Sequence, residues 1–169
     1  REMAKRIFER KFEKIPFSCP FAKFFNRHVL EDVVFFQREI GEIGNQKVRE
    51  LFLLALVSCA IKGSYLWKDG NVLKVNVHPV APFRKFLKKR VLRMIKEAER
   101  FKGAGKVIVK GGWPEKTDLW DGTIDAVITS PPYLGQIDYG KMYGIENWLI
   151  GEGAAIEAYL GPEMEGKYF

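Results

Sequence analysis

The chain has 169 residues, of which 47% are hydrophobic, so it has the length of one domain and the apolar content to bury a core instead of staying disordered. Its longest apolar run, 51–61 with only Ser58 interrupting, is too short to cross a bilayer, and no secretory leader pattern opens the chain, so the expected compartment is the cytoplasm. The net charge is +7, and the spacings of Cys19, Cys59, His28 and His78 fit neither a zinc site nor a disulfide framework, so no metal is expected and both thiols read as packed and reduced.

The first part reads as helical. Residues 1–14 place Met3, Ala4, Ile7, Phe8 and Phe12 near a helical period, and Pro16 and Pro20 break the pattern. A second helix is expected over 31–43, ending near Gly44. A third, over 45–62, opens on Asn45 as its cap and is apolar on every face, the pattern of a helix at the centre of a bundle. Residues 64–77 contain Tyr65, Trp67 and the Asp69-Gly70 turn and read as a short hairpin or an irregular loop.

The clearest helix is predicted over 82–102, started by Pro82 and ended by Gly103. Phe83, Phe86, Leu87, Val91, Met94, Ala98 and Phe101 share one face. Lys85, Lys89, Arg93, Lys96 and Arg100 share the opposite one. That stripe is either a solvated helix face or a ridge contacting phosphates. It has almost no acids among its members, whereas a solvated face usually mixes signs for pairing.

The texture changes after Gly103. Residues 106–110 form a short β-rich run closed by Gly111-Gly112, and 125–129 form a second, led in by the Asp121-Gly122 turn. Residues 137–150 then read as a helix with Ile137, Met142, Ile145, Trp148 and Leu149 apolar. Charge changes at the same place: residues 1–110 carry 25 Lys and Arg against 11 Asp and Glu, and residues 111–169 carry 3 against 10. The expected organisation is a basic helical region over 1–102, suited to a polyanion, and part of an α/β domain over 103–169. The chain starts at Arg1 without a methionine and stops at Phe169 soon after a Gly-Pro turn, which reads as a piece of a longer protein.

The segment with the most chemical content is Thr129-Ser130-Pro131-Pro132-Tyr133, at the end of the second expected strand. In an open α/β sheet, ligands sit beyond the carboxyl ends of the strands. Two consecutive prolines fix two φ angles, remove two N–H donors and push Ser130 out of the helical region. A stiff loop with outward carbonyls results, useful where two reacting atoms must be held in line. An exocyclic amine on cytosine or adenine is a poor nucleophile because its lone pair is delocalised into the ring. Hydrogen bonds from its protons to Ser130 Oγ and the Pro131 carbonyl would favour a pyramidal nitrogen with its lone pair freed. Tyr133 offers a plane on which a flipped base can stack.

The stretch 125–133 resembles motif IV of the amino-methyltransferases, in which Asp, Asn or Ser precedes Pro-Pro-Tyr. The serine form is most similar to the cytosine-N4 branch, with adenine-N6 enzymes as the alternative. Leu134-Gly135-Gln136-Ile137-Asp138-Tyr139 and Tyr143-Gly144-Ile145-Glu146 resemble the extension found in a group of prokaryotic, often archaeal, DNA methylases. The resemblance covers about residues 106–151. It implies a Rossmann-like sheet, of which this chain holds part, and S-adenosyl-L-methionine as methyl donor. It also implies DNA as substrate, a place in DNA methylation and restriction-modification, and Ser130, Pro131, Pro132 and Tyr133 as the catalytic loop. An RNA or tRNA base methyltransferase with the same loop, or a nucleic-acid-binding fragment inactive on its own, are the alternative readings. Residues 1–102 would then supply a target-recognition insert, with Lys85, Lys89, Arg93, Lys96 and Arg100 along phosphates.

The sequence departs from that family in two ways. It has no Phe-x-Gly-x-Gly turn to hold the cofactor, so the remainder of the parent chain or a second subunit is expected to carry it. Where Gly-Asp often ends the preceding strand, this chain has Gly111-Gly112-Trp113. Trp113 either stacks on the cofactor's adenine or plugs the sheet edge, and Asp118 could substitute for the aspartate. Asp138 and Tyr139 are candidates for the base pocket, Asp138 either ordering donors on the base or capping the following helix.

Overall fold

A computed structural model describes residues 1–69, 72–80, 82–101, 103, 105, 107–109, 122–130 and 139–151. Among them lie six helices, α1 (Glu2–Glu9), α2 (Arg27–Gly41), α3 (Gln46–Gly63), α4 (Phe83–Arg100), α5 (Tyr139–Met142) and α6 (Gly144–Ile150). One short 3-10 turn (Ala22–Phe24) and one antiparallel hairpin, β1 (Leu66–Asp69) and β2 (Val72–Val75), accompany them. The described fold is therefore mostly helical with one small sheet.

Local chemistry sets the helix ends. Asn26 accepts from the His28 amide at 2.9 Å, so α2 opens four residues earlier than its apolar pattern alone suggests. Asn45 accepts from the Val48 amide at 3.1 Å and caps α3 as its position predicts. Gly151 takes φ +83° and closes α6 in the left-handed conformation that glycine adopts most readily. The first helix is shorter than the 1–14 pattern, because Arg10 is extended. Its guanidinium pairs with the buried Glu39 and, at 3.3 Å, with Glu42, holding the chain against α2. Phe12, one position of the sequence pattern, lies outside the helix and is 39% exposed, its ring 5.5 Å from that of Phe35 between centroids.

α3 is the centre of the bundle, packing against α2, α4 and α6. Its buried residues are Phe52, Ala55, Leu56, Cys59, Ala60 and Gly63, although Leu54 faces solvent. Gly63 marks a close approach: a Cβ there would meet Phe83 at 3.2 Å and Val29 at 3.3 Å. The core continues through Val33, Phe35, Phe36 and Ile40 of α2, Ala4, Ile7 and Phe8 of α1, and Leu87 and Val91 of α4. Ile145 and Leu149 of α6 belong to the same core, and the Gln37 amide of α2 donates to the Leu149 carbonyl at 2.9 Å.

The hairpin settles the reading of 64–77. Leu66 pairs with Val75 and Lys68 with Leu73, so these four share one face, and Trp67 and Lys74 lie on the other. Ser64 joins the hairpin to the bundle: it bridges Phe25, and the Tyr65 amide donates to the Phe24 carbonyl at 2.7 Å.

No Rossmann-like sheet stands among the described residues. Residues 107–109 and 125–129, expected as parts of parallel strands, carry no strand pairing among the described residues, and Ile128 is 100% and Val109 90% exposed. A buried parallel strand needs a hydrogen-bonded neighbour and cover on its faces, and the described residues supply neither. The helix expected over 137–150 is interrupted at Tyr143 into α5 and α6.

Candidate functional site

α4 carries the basic face. At about 100° per residue, Lys85, Lys89, Arg93, Lys96 and Arg100 fall within an arc of ~80°, and all five are exposed. Phe83, Leu87 and Val91 are buried on the other side. The structure thus brings the five predicted residues together. The apolar face ends sooner than its sequence pattern: Ala98 is exposed and Phe101 is 81% exposed. The only acid engaging the stripe among the described residues is Glu97, which accepts from Arg93 Nε at 2.8 Å.

Beside this stripe, α3 and α4 enclose a recess of about 270 Å³ lined by Ser58, Cys59, Lys62, Phe86, Lys89, Arg90 and Arg93. Its charged lining is wholly cationic. Arg90 is half-buried, and its Nε donates to Ser58 Oγ at 3.3 Å, while Ser58 Oγ donates to the Ala55 carbonyl at 3.0 Å. The serine therefore anchors the guanidinium against α3. Burial pushes the Cys59 thiol above its ordinary pKa, although Ser58, Arg90 and Lys62 pull the other way.

A second recess, of about 340 Å³ and mostly apolar, lies between the hairpin, α3 and the α5–α6 corner. Leu66, Lys68, Leu73 and Val75 form one wall, and Phe21, Phe24, Ile61, Met142 and Ile145 contribute to the others. Lys68 pairs with Glu146, and its ammonium sits 4.0 Å from the Tyr143 ring centroid. Tyr139, one of the two predicted base-pocket residues, stacks parallel to Tyr143 with centroids 6.3 Å apart. Gly144 lies close under Phe21: a Cβ there would come within 2.8 Å of the Phe21 ring, which would have to shift.

The remaining predicted residues divide as follows. Ser130 is exposed at the end of the 123–130 segment, and no hydrogen bond joins it to Tyr139. Pro131, Pro132, Tyr133, Asp138, Gly111, Gly112, Trp113 and Asp118 lie outside the described residues.

Compared with protein-family profiles, curated proteins and solved structures, the chain matches none.

Chemically, the described residues offer a cationic track and an apolar recess. They do not offer a fit for S-adenosyl-L-methionine: no Phe-x-Gly-x-Gly turn following a strand stands among the described residues. No group of three or more metal-ligating side chains gathers among the described residues either. Sequence reasoning missed Ser58, Lys62 and Arg90, the members of the cationic recess outside the stripe. Arg90 stands on the edge of the apolar face of α4, and Ser58 and Lys62 sit in the most apolar helix of the chain. Only the packing of α3 on α4 makes the three neighbours. A run of basic residues flanking Arg90, Lys88-Lys89-Arg90, was the available signal.

Proposed function

We propose that the chain is part of an enzyme that methylates the exocyclic amino group of a DNA base, cytosine N4 in preference to adenine N6, with S-adenosyl-L-methionine as donor. The observation that carries this reading is Ser130-Pro131-Pro132-Tyr133 at the end of the apolar run 125–129. Ser130 Oγ and the Pro131 carbonyl would accept hydrogen bonds from the two N–H groups of the amine, and Tyr133 would stack on the extruded base. The prolines hold those acceptors stiff, which keeps the nitrogen lone pair directed at the incoming methyl group. The cofactor site and the rest of a Rossmann-like sheet come from the remainder of the parent chain or a second subunit.

Two features support the reading. The exposed apolar side chains of 107–109, 127 and 128 suit strands that pair in a larger sheet, since exposed runs of large apolar residues mark interaction sites. The basic face of α4 suits a duplex lying across the helical bundle, contacting phosphates without reading sequence.

The test is transfer of a labelled methyl group to DNA and to RNA by the full-length parent protein. Pro131→Ala and Tyr133→Ala are each expected to lower transfer to DNA by 100-fold or more, on the order of a lost positioning contact, with DNA affinity changed less than about twofold. Transfer to RNA alone would overturn the DNA assignment, and equal loss of transfer and binding would make the loop a structural element.

A further inference from the structure

The stripe on α4 skims the surface, but at one point along it the chain builds an enclosure. The recess between α3 and α4 is lined by Lys62, Lys89, Arg90 and Arg93 with no carboxylate among its lining residues. No described carboxylate pairs with Lys62, Lys89 or Arg90, and Arg93 alone shares its charge, with Glu97. Four cations around one recess, with no carboxylate in its lining, give it a positive potential that attracts an anion. Three details suit an anion with oxygen acceptors. Arg90 is held by Ser58 through Nε, which leaves the other guanidinium N–H groups to donate. The apolar floor of Phe86 and Cys59 lowers the local dielectric and strengthens charge-assisted hydrogen bonds. Lys89 and Arg93 belong to both the recess and the stripe, so an anion seated here is continuous with the track.

We propose that this recess is an anchoring site for one backbone phosphate of a bound nucleic-acid strand, with Lys62 and Arg90 as binding residues and Ser58 as the positioning residue for Arg90. The assignment to a strand, and not to a free phosphate, rests on the nucleic-acid reading of the stripe. From Lys85 to Arg100 the stripe rises about 22 Å, at 1.5 Å per residue, a length of duplex axis over which one strand presents roughly six phosphates. The recess adds a single fixed point to that run: it sets the register of the strand on the helix, where the exposed lysines supply only attraction.

Fluorescence anisotropy of labelled DNA with the 169-residue chain across a salt series separates the possibilities. Lys62→Ala, at an exposed position outside the stripe, is expected to weaken binding about tenfold and to reduce the slope of log affinity against log salt by about one, the signature of a lost phosphate contact. Arg90→Ala should do at least as much. Ser58→Ala should weaken binding by a smaller factor and leave the slope unchanged, because it removes no charge. If Lys62→Ala and Arg90→Ala leave affinity and slope unchanged while Lys85→Ala and Lys96→Ala weaken binding, the recess assignment fails and the stripe reading stands. If the chain shows no salt-dependent binding of DNA or RNA, both fail together. Inorganic phosphate, added at constant ionic strength, is the second arm. Abolition of the Lys62 contribution by millimolar phosphate would assign the recess to a free anion and overturn the strand assignment.

Discussion

Two adjacent carboxylates on α2 show how burial and partners pull in opposite directions. Glu31 accepts from Arg27 Nε at 3.1 Å and lies 3.5 Å from Lys14, and the Arg27 hydrogen bond chiefly holds its pKa below the ordinary 4.5. Asp32 has no such partner: burial pushes its pKa above the ordinary 3.8, against the attraction of Arg84 and with a further upward push from Glu31. The signs follow by linkage. Glu31 stabilises the fold fully above its unfolded value, and that contribution is lost as pH falls through the lower folded value. Asp32 destabilises the fold while ionised, and the penalty disappears as pH falls through its raised value. Urea midpoints of Glu31→Gln and Asp32→Asn near neutrality and in acid check this. Glu31→Gln should be less stable than the parent near neutrality and Asp32→Asn more stable, with both differences closing in acid.

At the scale of elements, the N-cap of α3 offsets an unfavourable first turn. α3 is the central helix, and its first turn carries Lys47 and Arg49 where acids would complement the helix dipole. Asn45 offsets this by satisfying the Val48 amide. Asn45→Ala is expected to cost about 1 kcal/mol, with Asn45→Asp close to neutral or stabilising, measured by chemical denaturation. The shortened α1 shows the limit of periodicity in this chain. Its pattern continues to Phe12, yet Arg10 leaves the helix because its guanidinium reaches the buried Glu39, a partner 29 residues away. Periodicity records which side chains could share a face. It does not record which competing contact breaks the helix.

For the molecule as a whole, the described residues form one helical core that includes α6, distant in sequence from the rest. Leu149 is 2% exposed within it, and the carbonyl of the same residue accepts from Gln37. Leu149→Ala is therefore expected to destabilise the whole bundle by about 2–5 kcal/mol. Following the unfolding of α1–α4 and of Trp148 by separate spectroscopic probes checks it: coincident midpoints, both shifted, are expected, and a shift confined to Trp148 would detach α6 from the core.

The local signals were legible from the chain alone. Asn45 and its amide partner, the start of α4 after Pro82, the basic arc from Lys85 to Arg100, and the centrality of the apolar α3 all follow from side-chain type and a 3.6-residue period, which need no knowledge of neighbours. Ser130-Pro131-Pro132-Tyr133 is likewise an expectation drawn from residue type alone, and Pro131, Pro132 and Tyr133 lie outside the described residues. What the tertiary structure decided was non-local. It paired Arg10 with Glu39, set Lys62 and Ser58 of α3 beside Arg90 of α4, and turned one hairpin face onto the apolar recess. Among the described residues, 107–109 and 125–129 have no strand partner. A strand is stabilised by partners across a ladder, and those partners are not encoded in its own residues. A helix closes its hydrogen bonds within itself, and that is why this sequence announced its helices and not its sheet.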